Sequence, residues 1–136
     1  MSYGPASSNL NAYRNVGAYG SVESGDPYKL VQTLFATALE RIAAARGCME
    51  RGEVAPKGEN VSKAIGILGA LNDALDMEKG GEIAANLREL YDYACRRLAE
   101  ANAFNDAVRL DEVAALVREI KSAWDALPLA GTQPGR

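Results

Sequence analysis

The chain has 136 residues, 48% of them apolar, and its 15 basic and 18 acidic side chains nearly cancel to a net charge of −3. That is enough chain to bury one core without a metal or a disulfide framework, and the even mixing of charge excludes the clustered Lys and Arg of a nucleic-acid footprint. Histidine is absent altogether, which removes Ser-His-Asp and Cys-His catalysis and the Glu-x-x-His pairs that hold iron in helical bundles.

Residues 1–25 are rich in Ser, Gly, Asn and Ala and sustain no helical or strand period, so they read as a flexible arm. They lack the basic start and apolar centre of a signal peptide, and no apolar run in the chain approaches the ~20 residues needed to span a bilayer. The expected location is the cytoplasm. Leu10, Tyr13, Val16 and Tyr19 recur every three residues in this polar background. The spacing leaves two readings open, a tail with a few stray apolar residues or a tether whose side chains dock on the folded part.

Asp26-Pro27 has the chemistry of a helix start, an N-cap acceptor followed by a proline tolerated at the first helical position. Val31, Phe35, Ala38, Ile42, Ala45 and Met49 form the main stripe of a first helix, with Leu30, Leu34 and Leu39 on its flanks and Gly52 as its stop. The apolar surface is wider than one neighbour requires. A connection from Glu53 to Gly58 leads into a second helix bearing Val61, Ala64, Ile65, Leu68, Leu71 and Leu75, extended along one edge by Ile67 and Ala74. Gly66 and Gly69 fall on its other side, where glycine usually admits the close approach of another backbone.

A loop around Asp76–Gly81 precedes the segment on which the chain turns, Glu78–Asn102. Ile83, Leu87, Leu90, Ala94, Leu98 and Ala101 lie along one side of a third helix and predict a core stripe, with Arg88, Glu89, Arg96, Arg97 and Asn102 on its wet side. Tyr91 and Tyr93 point away from each other, so at least one ring lies on a flank or in a groove. Asn105-Asp106 breaks the pattern and supplies cap chemistry for a fourth helix, where Leu110, Val113, Val117, Ile120, Trp124 and Leu127 recur in threes and fours before Pro128. Four helices of roughly five to seven turns joined by short links predict an all-α fold, an antiparallel four-helix bundle. The bundle would occupy 26–128, after the arm at 1–25 and before a flexible tail at 129–136.

Little in this pattern carries chemistry. Cys48 and Cys95 have no CxxC spacing and read as small buried thiols. In Gly47-Cys48-Met49-Glu50-Arg51-Gly52-Glu53 a glutamate stands where a phosphate loop needs lysine. Asp73, Asp76 and Glu78 form a solvated helix end. The expectation is a non-enzymatic protein with no metal, no cofactor and no small-molecule substrate. Surplus apolar surface leaves two readings open: a bundle that takes an amphipathic segment of another protein into its grooves, or a structural or adaptor bundle that self-associates through its flanks.

From about Leu10 to Trp124 the chain resembles the FliS-type flagellar secretion chaperones. The resemblance is carried by Lys79-Gly80-Gly81-Glu82-Ile83-Ala84, Asn86-Leu87, Leu90-Tyr91-Asp92-Tyr93, Arg97-Leu98 and Ala101-Asn102. Leu10-Asn11-Ala12-Tyr13 with Val16, Pro27 with Leu30 and Leu34-Phe35, Lys63-Ala64-Ile65, Glu112-Val113 and Ala123-Trp124 agree with it as well. Ala36-Thr37 departs from an Asp-Gly pair common in that family, which bears on the first helix's contact with a client and not on the fold. The resemblance implies an export chaperone that binds the C-terminal segment of flagellin one to one, prevents premature polymerisation and delivers it to the flagellar type III export gate. It also implies an arm that covers part of the same surface and moves aside. The candidate client-binding or arm-docking residues are then Leu10, Tyr13 and Val16 of the arm, Leu30, Leu34 and Phe35, Ile67, Leu71 and Ala74, and Tyr91 and Tyr93.

Overall fold

The computed structural model describes residues 27–126, which form four helices and, among the described residues, no strand: α1 (Pro27–Glu50), α2 (Val54–Asp73), α3 (Met77–Phe104) and α4 (Ala107–Asp125). The connections at 51–53, 74–76 and 105–106 are too short to do anything but return the chain, so successive helices run antiparallel. α1 packs on α2 and α4, and α3 closes the ring against the same two neighbours. The fold is an all-α four-helix bundle. Leu10, Tyr13 and Val16, the cap at Asp26, Pro128 and the tail at 129–136 lie outside the described residues.

The turns explain themselves locally. Gly52 takes φ +71 while the Glu53 amide donates to the Cys48 carbonyl at 2.9 Å and the Gly52 amide to the Met49 carbonyl at 3.3 Å, the paired bonds that satisfy orphan carbonyls at a helix end. Asn105 repeats this at the end of α3 with φ 53. Asp106 then caps α4, its Oδ1 accepting from the Val108 amide at 2.9 Å. The Asp76 side chain accepts from the Lys79 amide at 2.9 Å, and Gly81 interrupts the helix with φ 52 and ψ −126. A side chain is strained there, so the Gly80-Gly81 pair turns a short capped segment into the body of α3.

Leu34, Ala38, Ala45, Ala64, Leu68, Leu98, Ala101, Leu110 and Val113 have no exposed surface. The width of the α1 stripe has a plain cause: α1 lies between two helices and buries Leu30 and Leu34 as well as Phe35 and Ile42. That width is core, not a surplus. α2 starts at Val54, before Pro56, because proline costs little in a first turn. Gly66 and Gly69 do not admit a close neighbour, since a Cβ on either would meet nothing within 4 Å. The stripe assigned to α3 is core only in its second half. Ala94, Leu98 and Ala101 are buried, whereas Ile83 is 72% exposed, Leu90 is 37% exposed and Leu87 is half-buried. Arg97, placed on the wet side from the pattern, is partly buried against α4.

Lys57 is the one charged side chain buried among the described residues. Its Nζ donates to the Asn102 carbonyl at 3.1 Å and to Asn105 Oδ1 at 3.0 Å, placing a cation at the C-terminal end of α3, where the helix dipole favours it. Lys57→Met keeps the stem and leaves both acceptors without this donor. We expect the variant to stay helical and to lose about 1–3 kcal/mol in denaturant unfolding; an unchanged unfolding midpoint would contradict this role for the ammonium.

Candidate functional site

The seam between α3 and α4 changes character along its length. Where α3 ends and α4 begins it is polar. Arg97 Nε donates to Glu112 Oε1 at 2.8 Å, Arg97 Nη1 to Glu100 Oε1 at 2.8 Å, and the Tyr93 hydroxyl to Glu112 Oε2. Arg109 continues the network, with Nη1 2.6 Å from Asp106 Oδ2 and Nε 3.4 Å from Glu100 Oε1. The Arg96 and Arg97 guanidinium carbons lie 5.8 and 5.9 Å from the Tyr93 ring centroid, within range of a cation–π attraction.

Where α3 begins and α4 ends, no such latch holds the pair, and the seam opens into an apolar groove of about 520 Å³. Val31 and Phe35 of α1, Leu71 of α2 and Ala74 and Leu75 of the connection that follows it form its floor and one side. Ile83, Leu87, Leu90 and Tyr91 of α3 face Leu116, Ile120, Ala123 and Trp124 of α4, and Glu119 stands at the rim. Trp124 is fixed by Tyr28: the rings stack at 5.4 Å, Trp124 Nε1 donates to the Tyr28 carbonyl at 3.2 Å, and the Tyr28 hydroxyl donates to the Trp124 and Asp125 carbonyls at 3.2 and 3.0 Å. The groove therefore lies at the end of the bundle where the described chain starts and stops.

Of the described candidates, Phe35, Leu71, Ala74 and Tyr91 come together on this groove. Leu30, Leu34 and Ile67 are buried in the core and do not line it. Tyr93 sits on the polar half of the seam. Sequence reasoning missed most of the α3 and α4 walls as a site because Ile83, Leu87, Leu116 and Ile120 repeat at the spacing of true core residues. The available signal was the change from Ile83, Leu87 and Leu90 to Tyr93, Arg97 and Glu100 along one helix.

The arrangement offers burial of apolar groups and little else. Among the described residues no group of His, Cys, Asp and Glu could hold a metal, and no helix is long and apolar enough to cross a membrane. Burial, with Asp92 nearby, pushes the Cys95 thiol up to about 11, so it is no nucleophile at neutral pH. The Tyr93 hydroxyl and then Arg97 hold the Glu112 carboxyl below its ordinary value.

The described residues form a helical bundle with an open apolar groove, an arrangement suited to taking in apolar side chains of another chain. The family described as flagellar protein FliS matches residues 9–130. The flagellar secretion chaperone FliSB of Pseudomonas aeruginosa is 48% identical over 118 residues, covering 87% of this chain and 94% of that protein. The flagellar secretion chaperone FliS of Salmonella typhimurium is 45% identical over 131 residues, 95% and 97% of the two chains. That of Bacillus subtilis is 35% identical over 104 residues, 76% and 77%. The chain belongs to the FliS family, a family of flagellar secretion chaperones and not of enzymes.

Burial pushes the Tyr91 phenol up to about 12, and the hydrogen bond to Glu112, then burial, raises Tyr93 above its ordinary 10.0. A phenol raised in the folded state lends stability that is complete below its unfolded value and lost as pH climbs through the folded one. An absorbance titration should therefore show a tyrosinate component appearing late, reduced in Tyr91→Phe and again in Tyr93→Phe. Ionisation of all tyrosines together near the ordinary value would contradict the burial and the hydrogen bond.

Proposed function

We propose that this protein is a cytoplasmic export chaperone that binds the C-terminal segment of flagellin one to one. Bound in this way, flagellin cannot polymerise early and is handed to the flagellar type III export gate. The observation that carries the reading is the groove, apolar but for Glu119 at its rim, where the family's secretion-chaperone relatives imply a protein cargo. Its volume suits a few anchor side chains of an amphipathic segment, spaced i, i+3, i+4 and i+7, and not a folded partner. Phe35, Leu71, Ala74 and Tyr91 serve as the floor on this reading, and Leu30, Leu34 and Ile67 support it from beneath. Leu10, Tyr13 and Val16 of the arm occupy the same groove when no client is present.

A disordered client must lose conformational entropy on binding, at a cost of about 2–5 kcal/mol or more. Apolar surface left open in advance offsets that cost without any ATP chemistry. Ile83 isolates the effect, since it lines the groove and is 72% exposed. Ile83→Glu should leave the melting midpoint unchanged and weaken co-elution with full-length flagellin by about tenfold or more, ~1.4 kcal/mol. C-terminally truncated flagellin should fail to co-elute with the wild-type protein. Equal co-elution of both flagellins, or full affinity in Ile83→Glu, would count against the reading.

A further inference from the structure

The apolar groove has a charged edge. On the α4 side Glu119 is the one charged residue that lines it. On the α3 side the geometry follows from Tyr93, whose hydroxyl donates to Glu112 and so fixes which face of α3 looks towards α4. Glu89, Asn86 and Glu82 stand four, seven and eleven residues before Tyr93, steps that keep them on that same face. Glu82 and Glu89 are exposed, next in sequence to the wall residues Ile83 and Leu90. Arg88 turns the other way and donates to Asn72 of α2 at 3.4 Å.

These three carboxylates differ from those on the rest of the two helices. Asp92 accepts from Asn72 at 2.9 Å, and Glu100, Asp106, Asp111, Glu112 and Asp125 each have a Lys or Arg nitrogen at 2.6–2.9 Å. Glu82, Glu89 and Glu119 have no hydrogen bond or ion pair among the described residues. For Glu89 and Glu119 the positions three and four away along the helix hold no Lys or Arg, and Lys79, three before Glu82, lies beyond the break at Gly81.

A groove with apolar walls and unpaired negative charge along its rim favours one kind of occupant. Low-dielectric walls concentrate the field of the rim, so a cation there is attracted more strongly than in open water and an acidic chain is turned away. We propose that the segment this groove takes is a basic amphipathic helix, with apolar anchors flanked by Lys or Arg that meet Glu119 on one side and Glu82 and Glu89 on the other. The inference rests on the reading of the groove as the client site. The anchors supply most of the affinity, and the rim chooses among segments whose anchors fit equally well.

Three synthetic helix-forming peptides test it by fluorescence anisotropy, identical in their apolar anchors and carrying Lys, Gln or Glu at the flanking positions. The full-length protein should bind the Lys peptide about two- to fivefold more tightly than the Gln peptide, and the Glu peptide more weakly than either. The differences should shrink in high salt. Glu119→Gln should reduce the preference and E82K/E89K/E119K should reverse it, with unchanged melting midpoints because all three side chains are exposed and unpaired. Ile83→Ser should weaken all three peptides alike, since it alters the wall and not its charge.

Equal binding of the three peptides, no binding of any, or a Lys preference that survives E82K/E89K/E119K would overturn the inference. Peptide binding untouched by Ile83→Ser would put the peptides elsewhere on the bundle and overturn it as well. The client reading is judged apart from this. Flagellin that co-elutes equally with the wild-type protein and with E82K/E89K/E119K would leave that reading standing and remove the role of the rim. The expected peptide ranking without any co-elution of flagellin would do the reverse.

Discussion

The network of Tyr93, Arg97, Glu100, Arg109 and Glu112 holds α3 against α4 for half their shared length and then stops. Past Tyr93 the facing residues are Leu90, Leu87 and Ile83 against Leu116, Ile120 and Ala123. These apolar side chains leave an open space between the two helices rather than filling it. The groove begins where the polar latch ends. Tyr28 and Trp124 hold its mouth from the α1 side, and the turn at Gly81 sets the direction from which α3 enters.

This division of labour reconciles a stable bundle with an exposed apolar surface. Phe35, Leu71 and Tyr91 belong both to the core and to the groove lining, whereas Ile83 and Leu90 line the groove while exposed, so covering those two need not disturb the fold. Glu119 is the one charged residue in the groove lining, so the groove holds few directed polar groups with which to read a sequence. On the proposed function that is an advantage, since a client segment that is disordered when free can adapt its anchors to the walls.

Much of the fold was legible in the chain. Apolar steps of three and four placed all four helices, and Gly52 and Asn105-Asp106 marked two of the turns by their cap chemistry, while the loop expected at Asp76–Gly81 is a capped helical start broken at Gly81. The site was less legible, and for a physical reason. Helical periodicity says that a residue faces the bundle, not that a neighbour fills the space opposite it. Ile83 and Leu98 therefore look alike in sequence, although one is exposed and the other sealed. The breadth of the α1 stripe misled in the opposite direction, because a helix with two neighbours buries a wide face. Lys57 gave no signal at all, since its role depends on meeting the end of α3 across the bundle.

The central claim is that one end of this bundle receives the client and the other does not. Methyl-resolved NMR of the protein with and without the flagellin C-terminal segment tests it most directly. The account predicts chemical-shift changes concentrated at Ile83, Leu87, Leu90, Leu116 and Ile120. Val54 and Val108 serve as controls, since both are exposed at the opposite end, where α2 and α4 begin; they should stay unperturbed. Perturbation centred on those two valines, with the groove methyls unchanged, would contradict it.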